Sequence, residues 1–88
     1  MSMPVAEVGF PVVISTATTT TVCPTNCQLL GFYVSSTTGG TVVIQNGSAA
    51  VSGTITPAIG FHKWPANLGN GLIVVTANTI NVTFFFAV

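Results

Sequence analysis

Two short segments hold nearly all the residues of this chain that could do chemistry: Cys23-Pro24-Thr25-Asn26-Cys27 and Phe61-His62-Lys63-Trp64-Pro65. Cys23 or Cys27 with His62 would be a thiol nucleophile and its base, a pairing that needs a third group to orient the imidazole. The chain has one acidic side chain, Glu7, and it lies close to the N-terminus, far in sequence from either segment. A closed zinc site takes about four ligands, and the two cysteines and His62 supply one too few. Neither catalysis nor a metal or other cofactor is therefore expected. For the cysteines themselves two readings stay open. A disulfide between Cys23 and Cys27 would pin a Pro-Thr-Asn turn, with modest stabilisation because the loop it closes is short. Two free thiols, kept reduced in a cytoplasm, fit the spacing equally well.

The rest of the composition excludes more than it suggests. Charged residues make up 2% of the 88-residue chain and the formal net charge is zero, against roughly 25% charged residues in ordinary soluble domains. One lysine cannot neutralise a run of phosphates, so nucleic acid is not an expected partner. One acid cannot form the carboxylate pair of a glycosidase or the ligand set of a calcium loop. With 49% hydrophobic residues the chain has the wrong composition for disorder. Its apolar runs, the longest being Gly71–Val75 and Phe84–Val88, fall well short of the about 20 residues of a spanning helix, so no membrane is expected. The N-terminus lacks the basic and apolar blocks of a secretory signal.

The elements that must position these residues read as strands. Threonine, valine, isoleucine and phenylalanine dominate, and Gly, Pro and Asn punctuate them at short intervals, the pattern of an all-β sandwich or barrel with no substantial helix. Residues 12–22 predict one or two strands around Thr18–Thr21. A strand over Gln28–Ser36 is followed by a turn at Thr37–Gly40 and a strand over Thr41–Gln45. Asn46-Gly47 then marks a tight hairpin. Short strands are expected over Thr54–Pro57 and Phe61–Trp64, the second stopped by Pro65. Leu72–Ala77 and Ile80–Val88 are expected to form a closing hairpin over Asn78-Thr79. The expected fold is a small antiparallel β-sandwich, jelly-roll-like, of about seven or eight short strands, with residues 1–10 as an N-terminal arm and residues 11–88 as one domain. Asn46-Gly47-Ser48 and Asn81-Val82-Thr83 match the glycosylation triplet, which arises by chance in a chain rich in Asn and Thr.

Ile80, Val82, Phe84, Phe86 and Val88 alternate with Asn81, Thr83, Phe85 and Ala87, so one face of the last strand must line the core. Phe85 falls on the other face, and Leu72-Ile73-Val74-Val75 is apolar on both. An uncharged chain with little to protect its strand edges is expected to associate. Tyr33, Lys63, Trp64 and Phe85 are the candidate interface residues, and the competing reading of Trp64 puts it in the core with Lys63 at the rim.

Leu30-Gly31-Phe32-Tyr33-Val34, Gly40-Thr41-Val42-Val43-Ile44, Asn46-Gly47, Gly71-Leu72-Ile73-Val74-Val75 and Asn81-Val82-Thr83-Phe84-Phe85 together resemble small virion proteins of tailed bacteriophages. The resemblance covers the chain from Leu29 onward and not the cysteine loop. It implies a compact β-sandwich that decorates or cements an icosahedral head as a homotrimer, bound to the major capsid protein. Such a protein is made in the host cytoplasm and ends on the capsid surface. The alternative, from a different class, is a receptor- or glycan-binding β module of a phage tail or a small lectin.

Overall fold

The computed structural model of the protein describes residues 10–88. Among the described residues there is no helix; six strands form one antiparallel sheet. They are β1 (Phe10–Ile14), β2 (Thr19–Cys23), β3 (Cys27–Asn46), β4 (Ala49–Ala50), β5 (Gly60–Leu68) and β6 (Leu72–Ala87). Phe10 thus opens β1; the rest of the expected arm, residues 1–9, lies outside the described residues.

Two long strands, β3 and β6, organise the molecule. They pair along their whole lengths, from Gln28 opposite Ala87 to Asn46 opposite Leu72. The free edge of β6 carries β1 at one end and β2 at the other. The free edge of β3 carries β5 along its first half, and β4 with a bridge from Val42 to Ile55 along its second. The sheet therefore has two halves, β1–β6–β3–β5 and β2–β6–β3–β4.

Both turns expected at the middle of these strands are bends instead. Thr38 and Gly39 lie opposite Thr79, so the Thr37–Gly40 signal of one strand faces the Asn78-Thr79 signal of the other. Gly39 and Asn78 both take left-handed backbone, φ 65° and 62°, a conformation open to Gly and tolerated by Asn. The Asn78 amide donates to the Gly39 carbonyl at 2.9 Å. A reversal would have given each strand a new neighbour; with the two signals in register, the paired ribbon bends as a unit and keeps its ladder. The expected hairpin over Asn78-Thr79 is thereby replaced by one continuous strand, and the strand count falls to six. Thr54–Pro57 contributes only the bridge at Ile55. β5 passes through Pro65, where a bulge against β3 accommodates the missing N–H.

The bend lets the inner faces of both halves contribute to one apolar cluster. Along β6 the residues Leu72, Val74, Ile80, Val82 and Phe84 are buried, and they meet Leu29, Phe32, Val34, Val42 and Ile44 of β3. Phe32 and Phe84 lie with ring centroids 5.2 Å apart. Thr76 is the one buried polar side chain among the described residues. Its hydroxyl donates to the Thr16 carbonyl at 2.7 Å, and its backbone N–H donates to Thr18 O at 2.9 Å. A buried hydroxyl without a partner would be costly; here it ties the β1–β2 connection across the ladder.

Candidate functional site

The strand period decides where each candidate residue points, because alternate side chains take opposite faces. On β5 the even positions turn inward. His62 stacks on Phe32 at 5.2 Å and its Nε2 donates to the Ala58 carbonyl at 2.8 Å. Trp64 is half-buried against the core cluster, which agrees with the core placement weighed for it. The odd positions, Phe61, Lys63, Pro65 and Asn67, are exposed on the outer side.

Register then assembles an outer face on the β1–β6–β3–β5 half. One row across the strands reads Pro11, Phe85, Gly31, Lys63; the next reads Val13, Thr83, Tyr33, Phe61. Gly31 leaves a gap in the first row, and the Phe61 ring fills it: a Cβ on Gly31 would lie 2.9 Å from the tip of that ring and 2.6 Å from the His62 carbonyl. Leaning this way, Phe61 reaches Phe85, with centroids 6.2 Å apart and rings tilted by 52°. Val13, Phe61 and Tyr33 remain 62%, 57% and 44% exposed. The three side chains thus form an exposed apolar cluster on this face. Covering roughly the exposed half of a ring such as Phe61 or Tyr33 is worth about 2–3 kcal/mol.

Tyr33, Lys63 and Phe85 therefore share one face, and Trp64 sits on the other side of the sheet. Phe61, Val13 and Pro11 belong to the face and were not among the sequence candidates. The signal for Phe61 was present: in a strand over Phe61–Trp64, Phe61 must share a side with Lys63 and not with Trp64. Val13 and Pro11 join only through the pairing of β1 with β6, which no local pattern carries.

Strand edges look different once placed. The single lysine and Pro65 both lie on edge strand β5, and Pro11 lies on edge strand β1. These are the devices that discourage edge-to-edge pairing. Bare strand edges are therefore fewer than the sequence alone suggests.

The thiol–imidazole pair is not assembled. Cys27 lies opposite Leu68 and His62 opposite Phe32, about 16 Å apart along the strand. Cys23 and Cys27 are both buried and unbonded. The Cys23 thiol donates to the Thr25 carbonyl at 3.3 Å. Burial, with the Cys23 thiol beside it, pushes the Cys27 thiol up to about 12, which suppresses the thiolate that nucleophilic chemistry requires. Among the described residues no three His, Cys, Asp or Glu side chains gather as a metal site. The Asn46 and Asn81 side chains are engaged, with Asn46 Oδ1 accepting from Asn70 N at 2.8 Å and Asn81 Oδ1 from the Ser35 hydroxyl at 2.9 Å. Comparison of the chain with protein-family models, curated proteins and solved structures finds no match.

Proposed function

We propose that this protein is a structural virion component, a cement or decoration protein that docks on the outside of an icosahedral phage head as a homo-oligomer and bridges neighbouring major capsid subunits. The observation that carries this reading is the outer aromatic face: Tyr33, Phe61 and Phe85 with Pro11 and Val13, on a domain with almost no charge. In this reading the two halves of the sheet are the layers of a jelly-roll-like sandwich, and the protein is not an enzyme. Its work is mechanical. Aromatic and aliphatic surface is buried between copies or against the capsid, so contact strength follows apolar area and is insensitive to salt, since screening acts on charges the chain lacks. The trimeric number comes from the resemblance to phage decoration proteins.

The test is twofold. Light scattering on the purified chain at low and high salt is expected to give the same oligomeric mass. Co-sedimentation with heads assembled from the major capsid protein of the same genome is expected to recover the chain, and Phe61→Ser with Phe85→Ser is expected to abolish recovery. A monomer that ignores such heads would overturn the reading.

A further inference from the structure

A second feature lies on the same outer side, at the end of the sheet away from Tyr33. Leu29 pairs with Ala66, and the next pair is Gly31 with Lys63. Leu30 therefore faces two residues of β5, Trp64 and Pro65. It is also the extra residue against β6, where Leu29 pairs with Phe86 and Gly31 with Phe85. A residue bulged toward both neighbours takes main-chain groups out of the ladder, and Pro65 supplies no N–H there. The strands part around a recess of about 280 Å³, bordered by Gln28, Leu29, Leu30, Pro65, Ala66 and Asn67.

From this recess we propose a binding site for one ring of a neutral saccharide. Gln28 and Asn67 are directly opposite each other and both are exposed. Each carboxamide offers a carbonyl acceptor and two N–H donors, the set that vicinal hydroxyls, themselves donors and acceptors, can satisfy. Leu30 and Pro65 provide apolar ground for the C–H face of a ring. No ionisable group borders the recess, so a charged ligand would surrender its hydration for no counter-charge. The volume sits just under the roughly 300–1,000 Å³ of small-molecule pockets, enough for a single ring. Phe61, Lys63, Pro65 and Asn67 are alternate residues of β5, so further rings of a chain would run from the recess toward the exposed Phe61 ring. The site does not depend on the capsid reading.

The experiment is an amide ¹H–¹⁵N titration of the full chain with lactose, maltotriose and N,N′-diacetylchitobiose, each into the millimolar range, with sialyllactose as the anionic control. The expected result is saturable shifts at Gln28, Leu30, Ala66 and Asn67 with at least one neutral probe. In a Gln28→Ala, Asn67→Ala double variant with an otherwise unchanged spectrum, the apparent affinity is expected to fall about tenfold or more. No saturable shift at these residues with any neutral probe would overturn the proposal. So would shifts centred on Tyr33 that survive the double substitution, or tighter binding of the anionic control. Oligomeric mass and head co-sedimentation report on the aromatic cluster around Tyr33, Phe61 and Phe85, and the titration reports on the recess at the other end of the same face, so either proposal can fail alone.

Discussion

The β1–β6–β3–β5 half and the β2–β6–β3–β4 half share their two central strands and one interior, yet their outer faces differ. The first presents Tyr33, Phe61 and Phe85 with Val13 and Pro11. The second, read across the same ladder, presents Thr19, Val75 and Val43 in one row and Thr21, Ile73, Gln45 and Ala50 in the next. Val43, Ile73 and Val75 are half-buried, as is Phe85, whereas the rings of Phe61 and Tyr33 stand clear. High apolar content alone therefore does not create an exposed aromatic cluster. What matters is where large side chains meet a gap, as Phe61 meets Gly31.

The comparison requires that the two interiors be equivalent, and the largest expected effect tests this. Phe84→Ala removes a fully buried ring packed on Phe32 and should cost about 3–5 kcal/mol, much of the about 5–15 kcal/mol available to a domain. Urea unfolding followed by circular dichroism would show it, as one transition lost for both halves together. A variant that melts only one half would break the shared-core description.

Next in size is the join between the halves. Gly71 follows β5 and precedes β6, with φ at 100°. A Cβ there would sit 2.5 Å from the Cys23 carbonyl oxygen and 2.9 Å from the Pro24 carbonyl carbon. Gly71→Ala should destabilise by about 1–3 kcal/mol from backbone strain, and the same denaturation experiment reads it. An Ala variant as stable as the parent would mean that the cysteine turn yields freely and does not hold the two halves at this end.

Much of this was legible in advance. The alternation Ile80, Val82, Phe84 located the buried face of β6, and the turn residues between Cys23 and Cys27 separated β2 from β3. What could not be read locally was partnership. Thr37–Gly40 and Asn78-Thr79 each look like a reversal when taken alone; only the register that sets them face to face turns two hairpins into one corner. Trp64 suffers from the same limit. Its size suggested an interface, but the strand period and the pairing of β5 with β3 send it inward, and they send Phe61, a less conspicuous residue, out. The recess at Leu30 has no local signature at all, because a bulge is a property of a strand pair.

The end of the molecule where both halves meet also has an expected pH response. Cys27 holds its proton to about 12 in the folded chain, against an ordinary value of 9.0. Between those values the unfolded chain releases a proton that the folded chain retains, so rising pH favours unfolding. Stability is expected to be independent of this group below about pH 9 and to decline above it. The informative quantity is the difference between the parent and Cys27→Ala, whose decline should be shallower. Identical alkaline slopes would show that the thiol is not held out of water.

The smallest expected change in folding stability gives the most direct test of the comparison itself. Phe61→Thr and Val43→Thr place the same residue on the outer faces of the two halves. Both sites lie outside the core cluster, so each should alter the unfolding free energy measured in urea by no more than about 1 kcal/mol. Their effects on association should diverge. Phe61→Thr removes a ring whose exposed part is worth about 2–3 kcal/mol when covered, and a thermodynamic loss of that order is roughly a 30- to 150-fold weaker contact. Val43→Thr exchanges one β-branched side chain for another on a face already lined with threonine. Light scattering across a dilution series should show the first variant dissociating at concentrations where the second and the parent stay assembled. If both variants dissociate alike, the threonine–valine face is also an interface and the distinction between the halves disappears. If neither does, the exposed rings do not hold copies together, and the docking role proposed for them falls.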